Sequence, residues 1–287
     1  MDFKLTNQVK IDIFTTIFQT IKTISEHIVI YFTDGKMFIQ TMDPSKISVL
    51  EIMILSSWFD FYSCQYEGEG IQIGINTGIL HKILSSREKT QTIHFEHNGE
   101  AGNEDKLFVN MESTEVLPSP PVSDGAAAPM PPNKQVYNRY FEVPLINLES
   151  ELMSIPDIEY EAELSLPSVN FATLIHQLKG FGDVLNIKCN ENDIQFISKS
   201  MESGSMRVEI KIDELTGFSI IEGENINVSF GLQYLNTIST YSKISKTVEL
   251  KIRRDYPIRI EYLFGDDSRE QGSVKFFLSP KMECNEE

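Results

Sequence analysis

FTTIFQTI at residues 14–21 and FATLIHQL at residues 171–178 are the same amphipathic phrase written twice. Phe14, Ile17, Phe18 and Ile21 make an apolar stripe at helical spacing, and Phe171, Leu174, Ile175 and Leu178 repeat it at a constant offset (171 − 14 = 157). Working outward, the following strand keeps that offset, since Met37 and Ile39 fall on Ile194 and Phe196. A second helical stripe, Ile75, Ile79, Leu80 and Ile83, recurs as Phe230, Tyr234, Leu235 and Ile238 at an offset of 155. One stripe aligns by chance easily, because the helical pattern is common; two stripes and a strand in nearly constant register do not. The reading is a duplicated chain of two like domains, whose function lies in how those domains join.

Length agrees, because 287 residues exceed what one core usually organises. No run is long and apolar enough for a membrane span, and MDFKLTNQVKID lacks the basic-then-apolar layout of a signal peptide. Cys64, Cys189 and Cys284 stand too far apart for metal or redox spacing, which suits reduced thiols. Forty-two acidic against twenty-five basic residues give a net charge of −17. Such a chain does not grip nucleic acid over its whole surface, although one locally basic face remains compatible with DNA.

Along the chain, a helix is expected from about Val9 to Ser25, followed by strands IVIYF, KMFIQTM, SVLEIMI and FDFYSCQY. Their Ile, Val, Phe and Tyr content and the Asp-Gly, Asp-Pro-Ser and Gly-Glu-Gly punctuation mark hairpins. Asn76 and Thr77 are candidate caps of a second helix reaching about Ser86, and strands resume at TIHFEH and KLFVNME. Residues 113–135 contain six prolines between Pro118 and Pro132, which forbid a regular element and predict an extended or disordered insertion. The organisation expected is an N-terminal domain at 1–142 carrying the insertion, a connector at 143–159, and a C-terminal domain at 160–287. Many short antiparallel strands with four helices give an α+β class.

Six strings then become recognisable together: QTMDPSKISVLEI, INTGILHKIL, LPSVNFATLIHQLKGFGD, LQYLNTISTYSKISKTVEL, YPIRIEYLF and VKFFLSPKME. In that order they resemble segments of the proliferating cell nuclear antigen family, the eukaryotic and viral-type DNA sliding clamps. The resemblance covers nearly the whole chain outside the Pro-rich insertion. It implies two similar domains, each with two helices backed by antiparallel sheets. It further implies a pseudo-sixfold ring of three copies, with helices lining the hole, that encircles duplex DNA and tethers DNA polymerase and other clients. A clamp loader is the implied opener, the nucleus or a viral replication compartment the implied location. No catalysis, cofactor, metal or membrane is implied.

The resemblance also assigns residues. Lys22 and Lys82 fall where the family has lysines, and His176 where it has arginine; Arg87, Lys89, Lys179, Lys243 and Lys246 lie on or beside the same helices. Thr16, Thr173, Ser85 and Thr240 replace family basic residues, so the lining is less positive or its charge has moved. A client-peptide groove is implied at Met42, Lys46, Ile47, Val49, Met153, Ile155, Pro156, Tyr160, Pro257, Phe277 and Pro280. Met-containing apolar sites adapt to several client side chains. Phe277 replaces the usual tyrosine and Lys46 a common histidine; read without the family, Phe277 is an ordinary core residue. Subunit contacts are implied at the strands around Tyr137, Tyr140 and Phe141 and around Met206, Val208 and Ile210.

An enzyme is the rival class. His27, His81, His94, His97 and His176 form no base or ligand set, and His94 and His97 read as an exposed strand. No phosphate-cradling glycine loop or Gly-x-Ser-x-Gly element occurs. Within the fold, a subunit of a heterotrimeric checkpoint clamp is the alternative to a homotrimer.

Overall fold

The computed structural model describes residues 1–65, 70–99, 102–113, 136–148, 151–266 and 269–281, so the Pro-rich stretch from 114 to 135 lies outside the described residues. The first half runs β1 (Asp2–Leu5), α1 (Gln8–Ile24), β2 (His27–Phe32), β3 (Lys36–Met42), β4 (Ser48–Leu55), β5 (Phe61–Ser63), β6 (Ile71–Asn76), α2 (Thr77–Ser85), β7 (Gln91–Glu96), β8 (Lys106–Ser113) and β9 (Arg139–Pro144). The second half repeats it as β10 (Ala162–Pro167), α3 (Ser168–Lys179), β11 (Val184–Cys189), β12 (Ile194–Ser200), β13 (Gly204–Ile210), β14 (Gly217–Ile220), β15 (Ile226–Gly231), α4 (Leu232–Ile238), β16 (Thr247–Ile252), β17 (Ile258–Asp266) and β18 (Arg269–Leu278). Residues 151–160 form no regular element.

The duplication is written in the strand registers. Ile30 faces Ile39 across β2 and β3, and Ile187 faces Phe196 across β11 and β12, both partners moved by 157. Ile28 faces Ile75 and Leu185 faces Phe230, offsets of 157 and 155, matching the two helical stripes. Side-chain alternation makes a one-residue slip turn every apolar group to the wrong face, so equal patterns must give equal registers.

Three sheets result, ordered β5-β1-β7-β8-β9, β13-β12-β11-β15, and a nine-stranded β14-β10-β16-β17-β18-β4-β3-β2-β6. The last joins the halves through β18 and β4, where Phe276 faces Leu50 and Val274 faces Ile52. All the helices bury their stripes against one side. Phe14, Ile17, Phe18 and Ile21 of α1 share one contiguous core with Phe171, Ile175 and Leu178 of α3 and with the inward faces of β4 and β18. Burying each such side chain contributes roughly 1.5–3 kcal/mol, which is why a halved sheet with a half-covered face is not a stable stopping point.

Local chemistry fixes the element ends. Asn7 caps α1 by accepting from the backbone N–H of Val9 and Lys10, and Asn76 caps α2 by accepting from Ile79 N at 3.0 Å. Thr77 is not a cap: its hydroxyl donates to Ser25 O at 2.7 Å and tethers α2 to the end of α1. Among the described residues of FDFYSCQY, strand covers Phe61–Ser63, preceded by a 3₁₀ turn at Ser56–Trp58 that buries Trp58. His97 is buried rather than exposed, with Nδ1 donating to Lys106 O at 2.8 Å, while His94 pairs with Asp2 at 2.6 Å.

Sheet edges are treated unequally. On β6, Ile146 N donates to Gly74 O at 2.9 Å, and a Cβ on Gly74 would sit 2.0 Å from Ile146 O, so only glycine admits that covering segment. On β15, Ser229 O accepts from Lys281 N at 2.7 Å. Of the other edges, β5 and β14 are short at 3 and 4 residues, whereas β9 and β13 are longer, at 6 and 7.

Candidate functional site

Three surfaces carry the residues singled out from sequence. The first is the helix layer. Lys22, Lys82, His176, Lys179, Lys243 and Lys246 are all exposed, as is Lys89. Lys22 and Lys82 sit in the last turns of α1 and α2, and His176 and Lys179 in the last turn of α3, where cations favour the helix dipole. Lys243 ends a 3₁₀ turn, Ser239–Lys243, that continues the seven-residue α4. Only one of the forty-two acidic residues, Asp12, falls within α1 to α4 and that turn. Asp12 is engaged by Arg87 at 2.5 Å.

Arg87 departs from expectation. Its side chain is only 9% exposed and is held by Asp12 and by the carbonyl of Gln8 Oε1, so it ties the loop after α2 to α1. The neighbour the sequence reading missed is His81: Lys22 Nζ lies 3.1 Å from its Nδ1, and Ser85 Oγ 3.0 Å from its Nε2. Burial, reinforced by the Lys22 charge, holds the His81 pKa below its ordinary value.

The second surface is the outer face of the nine-stranded sheet, opposite the helices. Met42 faces Val49, Val49 faces Phe277, and Phe277 faces Arg259, giving one row across four strands. Phe277 is only 9% exposed yet stands outside the helix-side core, unlike its neighbours Phe276 and Leu278. The expectation of a buried residue is met, while alternation turns Phe277 to the face opposite the helices. Ile47 joins this region because its carbonyl accepts from Ser279 N at 3.0 Å, next to Pro280. Pro257 immediately precedes Ile258, which faces Leu278.

The connector crosses the same face. Gln40 holds it by a two-way bond, its Oε1 accepting from Met153 N at 2.6 Å and its Nε2 donating to Met153 O at 3.0 Å. A recess of about 270 Å³ lies at this crossing, lined by Gln40, Met42, Leu148 and Met153 among others. Tyr160 is half-buried; burial pushes its pKa up, against the nearby Arg259 charge. Ile155 is partly buried and Pro156 exposed on the connector between Met153 and Tyr160. Lys46 is exposed at the tip of the Asp43–Ser48 turn with a left-handed φ of 57°, a turn held by Asp43 Oδ1 accepting from Ile47 N and Ser48 N. Gln40 and Arg259 carry this surface and were missed; a glutamine at a buried strand position in KMFIQTM was the available signal.

The third surface is the pair of long edges. On β9, Tyr140 is 65% exposed and Phe141 partly buried; Tyr137, just before it, is also 65% exposed. On β13, Met206 and Val208 are partly buried and Ile210 buried, all on the helix side. Gly204 opens β13 with φ +80°, a conformation other residues rarely adopt.

Among the described residues no helix is long and apolar enough to cross a membrane, and no three His, Cys, Asp or Glu side chains converge as metal ligands. Residues 4–117 match the family model described as proliferating cell nuclear antigen, N-terminal domain, and residues 154–281 match that of the C-terminal domain. With both halves matched in order over most of its length, the chain belongs to the proliferating cell nuclear antigen family, the DNA sliding clamps of replication and repair.

Proposed function

We propose that three copies of this chain close into a ring around duplex DNA and tether polymerases and other clients through the outer-face groove. The observation that carries this reading is the charge partition. A chain with net charge −17 keeps all but one of its acids out of its helix layer, and that layer exposes Lys22, Lys82, Lys179 and Lys243 together with His176. Sparse lysines on otherwise neutral helices let phosphates pass without holding them. Each phosphate neutralised steepens the salt dependence by about 0.9 log units, so many tight contacts would stop sliding.

The internal joint supplies a template for ring closure. Ile93 and Leu250, inward-facing on β7 and β16, are again 157 apart. Ile93 faces Met111, which faces Arg139; Leu250 faces Ile260, which faces Phe276. Arg139 on β9 thus corresponds to Phe276 on β18. On the other edge Met37 faces Ile54 and Ile194 faces Ile210, so Leu50 on β4 corresponds to Met206 on β13. Because Phe276 faces Leu50, Arg139 of one copy faces Met206 of the next and Phe141 faces Gly204. Each ring joint then makes a nine-stranded sheet from five strands and four, like the one inside the chain. The domain limits stay close to those drawn from sequence, except that β9 runs to Pro144 and pairs with β8, so the connector begins after Pro144 rather than at 143. The work is done at sites of replication, in a nucleus or a viral replication compartment, with a loader opening the ring and no chemistry of its own.

The test is topological. Light scattering on a tenfold dilution series should return three times the chain mass of 32.7 kDa. Protein threaded onto linear duplex whose ends are then blocked should stay bound until an end is freed. A trimer that dissociates equally from blocked and open DNA overturns encirclement. A chain that is monomeric alone but threads DNA with other subunits points instead to a heterotrimeric clamp.

A further inference from the structure

We infer that His81 is a positioning residue of the helix layer. Its neutral ring holds the Lys22 ammonium by a hydrogen bond that cancels no charge. A proton on the ring releases Lys22 and adds a second cation, so the grip on duplex DNA tightens as pH falls. The inference rests on the ring reading above and adds to it a residue and a pH dependence that the ring does not by itself require.

His81 stands on α2, partly buried, and meets a side chain from the last turn of α1. Lys22 Nζ lies 3.1 Å from its Nδ1, and Ser85 Oγ lies 3.0 Å from its Nε2. These partners fix the tautomer. An ammonium can only donate, so Nδ1 carries the lone pair and the single ring N–H sits on Nε2, donating to Ser85 Oγ. Ser85 follows His81 by one helical turn, the spacing at which side chains on one face meet. The ring is thus held from both sides, by its own helix and by the helix it packs against.

The kind of acceptor matters. A lysine fixed by a carboxylate presents little net charge to a passing phosphate, whereas one fixed by a neutral imidazole keeps all of it. The layer's single acid, Asp12, is engaged by Arg87. The other charges on elements packed against α2 have partners of their own. Lys10 pairs with Asp60 at 3.0 Å, Glu26 lies 4.0 Å from His27, and Glu142 pairs with Lys106 at 2.9 Å. Arg139 bonds Ser86 O and lies 3.4 Å from Glu88. Lys82 and Lys89 are exposed, and Lys22 is the charge that acts on the ring. Burial and then that charge hold His81 below the ordinary histidine pKa, so near neutral pH the ring is uncharged. Protonation removes the lone pair that Lys22 uses and sets two cations side by side, which repel. Exposed Lys22 then swings free. Duplex phosphates offset that repulsion and favour the charged ring, so DNA binding takes up a proton and strengthens as pH drops.

The experiment uses the full chain and begins without DNA, with an NMR titration that reads the ring nitrogens of His81. The expected result is a proton on Nε2 and a pKa that rises in Lys22→Gln, once the neighbouring cation is gone. A proton on Nδ1, or a pKa unmoved by Lys22→Gln, overturns the inference whatever the chain does with DNA. Binding to a linear duplex with open ends is then followed across a salt series. From about pH 8 to about pH 5.5 the slope of log affinity against log salt should steepen more in the parent than in His81→Gln. The difference should approach about 0.9, the worth of one added cation, and taking it between the two chains removes the share of His176. Equal steepening in both chains, on duplex that both bind, overturns the inference and leaves the ring reading standing. A parent that holds duplex at no pH overturns the ring reading and this inference together.

Discussion

At β18 and β4 the two halves of the chain meet with Val274 and Ile52 fully buried and Trp58 packed under Phe264. At β9 and β13 the strand edges hold an exposed Tyr140 and a half-buried Val208 beside an open cavity. The strands correspond pair by pair, so local propensity does not explain why one joint is dry and the other wet. What differs is the neighbour: β18 and β4 cover each other within the chain, whereas β9 and β13 end their sheets. The comparison teaches that the chain buries one joint completely and leaves two longer strand edges, β9 and β13, without a neighbouring strand among the described residues. Long unpaired edges are an aggregation liability unless something covers them, and the proposed ring would cover β9 with β13.

The largest expected effect lies at the satisfied joint. Val274→Asp puts an unpaired carboxylate in a dry core and should destabilise the fold by about 4 kcal/mol, read as a drop in urea midpoint. A small change would break the comparison by showing that the internal joint tolerates water as the free edges do. The matching change at the free joint, Phe141→Asp, should abolish the trimer by light scattering yet leave the far-UV spectrum and the monomer's unfolding free energy within about 0.5 kcal/mol, since the side chain is only partly buried there.

Asp60 sharpens the contrast between the halves. Burial works against its charge, but bonds from Thr6 N and Asn7 N and from Lys10 bring its pKa down to about 2. A depressed carboxylate stabilises the fold above its unfolded pKa, and that contribution is lost as pH falls from about 4 through 2. Asp60→Asn should cost about 2 kcal/mol at pH 7 and flatten the acid limb of a stability-versus-pH curve. Its counterpart in the second half is the uncharged Thr216, whose N–H donates to Ser165 O at 2.8 Å as Asp60 N donates to Lys4 O. Acid should therefore loosen the start of α1 before that of α3, which amide exchange resolves; equal loss in both would contradict it.

On the outer face, Phe277→Ala should weaken a client-motif peptide by about 1–3 kcal/mol while the ring persists. Calorimetry showing unchanged affinity would remove Phe277 from the groove. The smallest effect belongs to the helix layer: Lys22→Gln should lower the salt-dependence slope of DNA binding by about 0.9. Arg87→Gln should leave that slope unchanged but lower stability, because Arg87 is engaged with Asp12.

Much of the fold was legible because hydrophobic period and punctuation act locally. The offset of 157 between FTTIFQTI and FATLIHQL reappears as identical strand registers, and β7, β8, β10 and β16 begin within a residue or two of their apolar runs. Phe277 was assigned to a groove only through family likeness, since period alone cannot say which face of a sheet a second layer will cover. Arg87 was misplaced because exposure depends on whether a carboxylate from another helix is near. Asp12 is seventy-five positions away, and nothing in either residue's neighbourhood announces the pairing.

By itself, then, the sequence determined the duplication, the element order and the segregation of charge, because each is a pattern repeated along the chain. Tertiary structure alone decided which strand edges are covered and which left open, that Gln40 holds the connector at Met153, and that a cavity lies beside β13. Those outcomes depend on distances between segments far apart in the chain, and such distances exist only once both halves have packed onto the shared core.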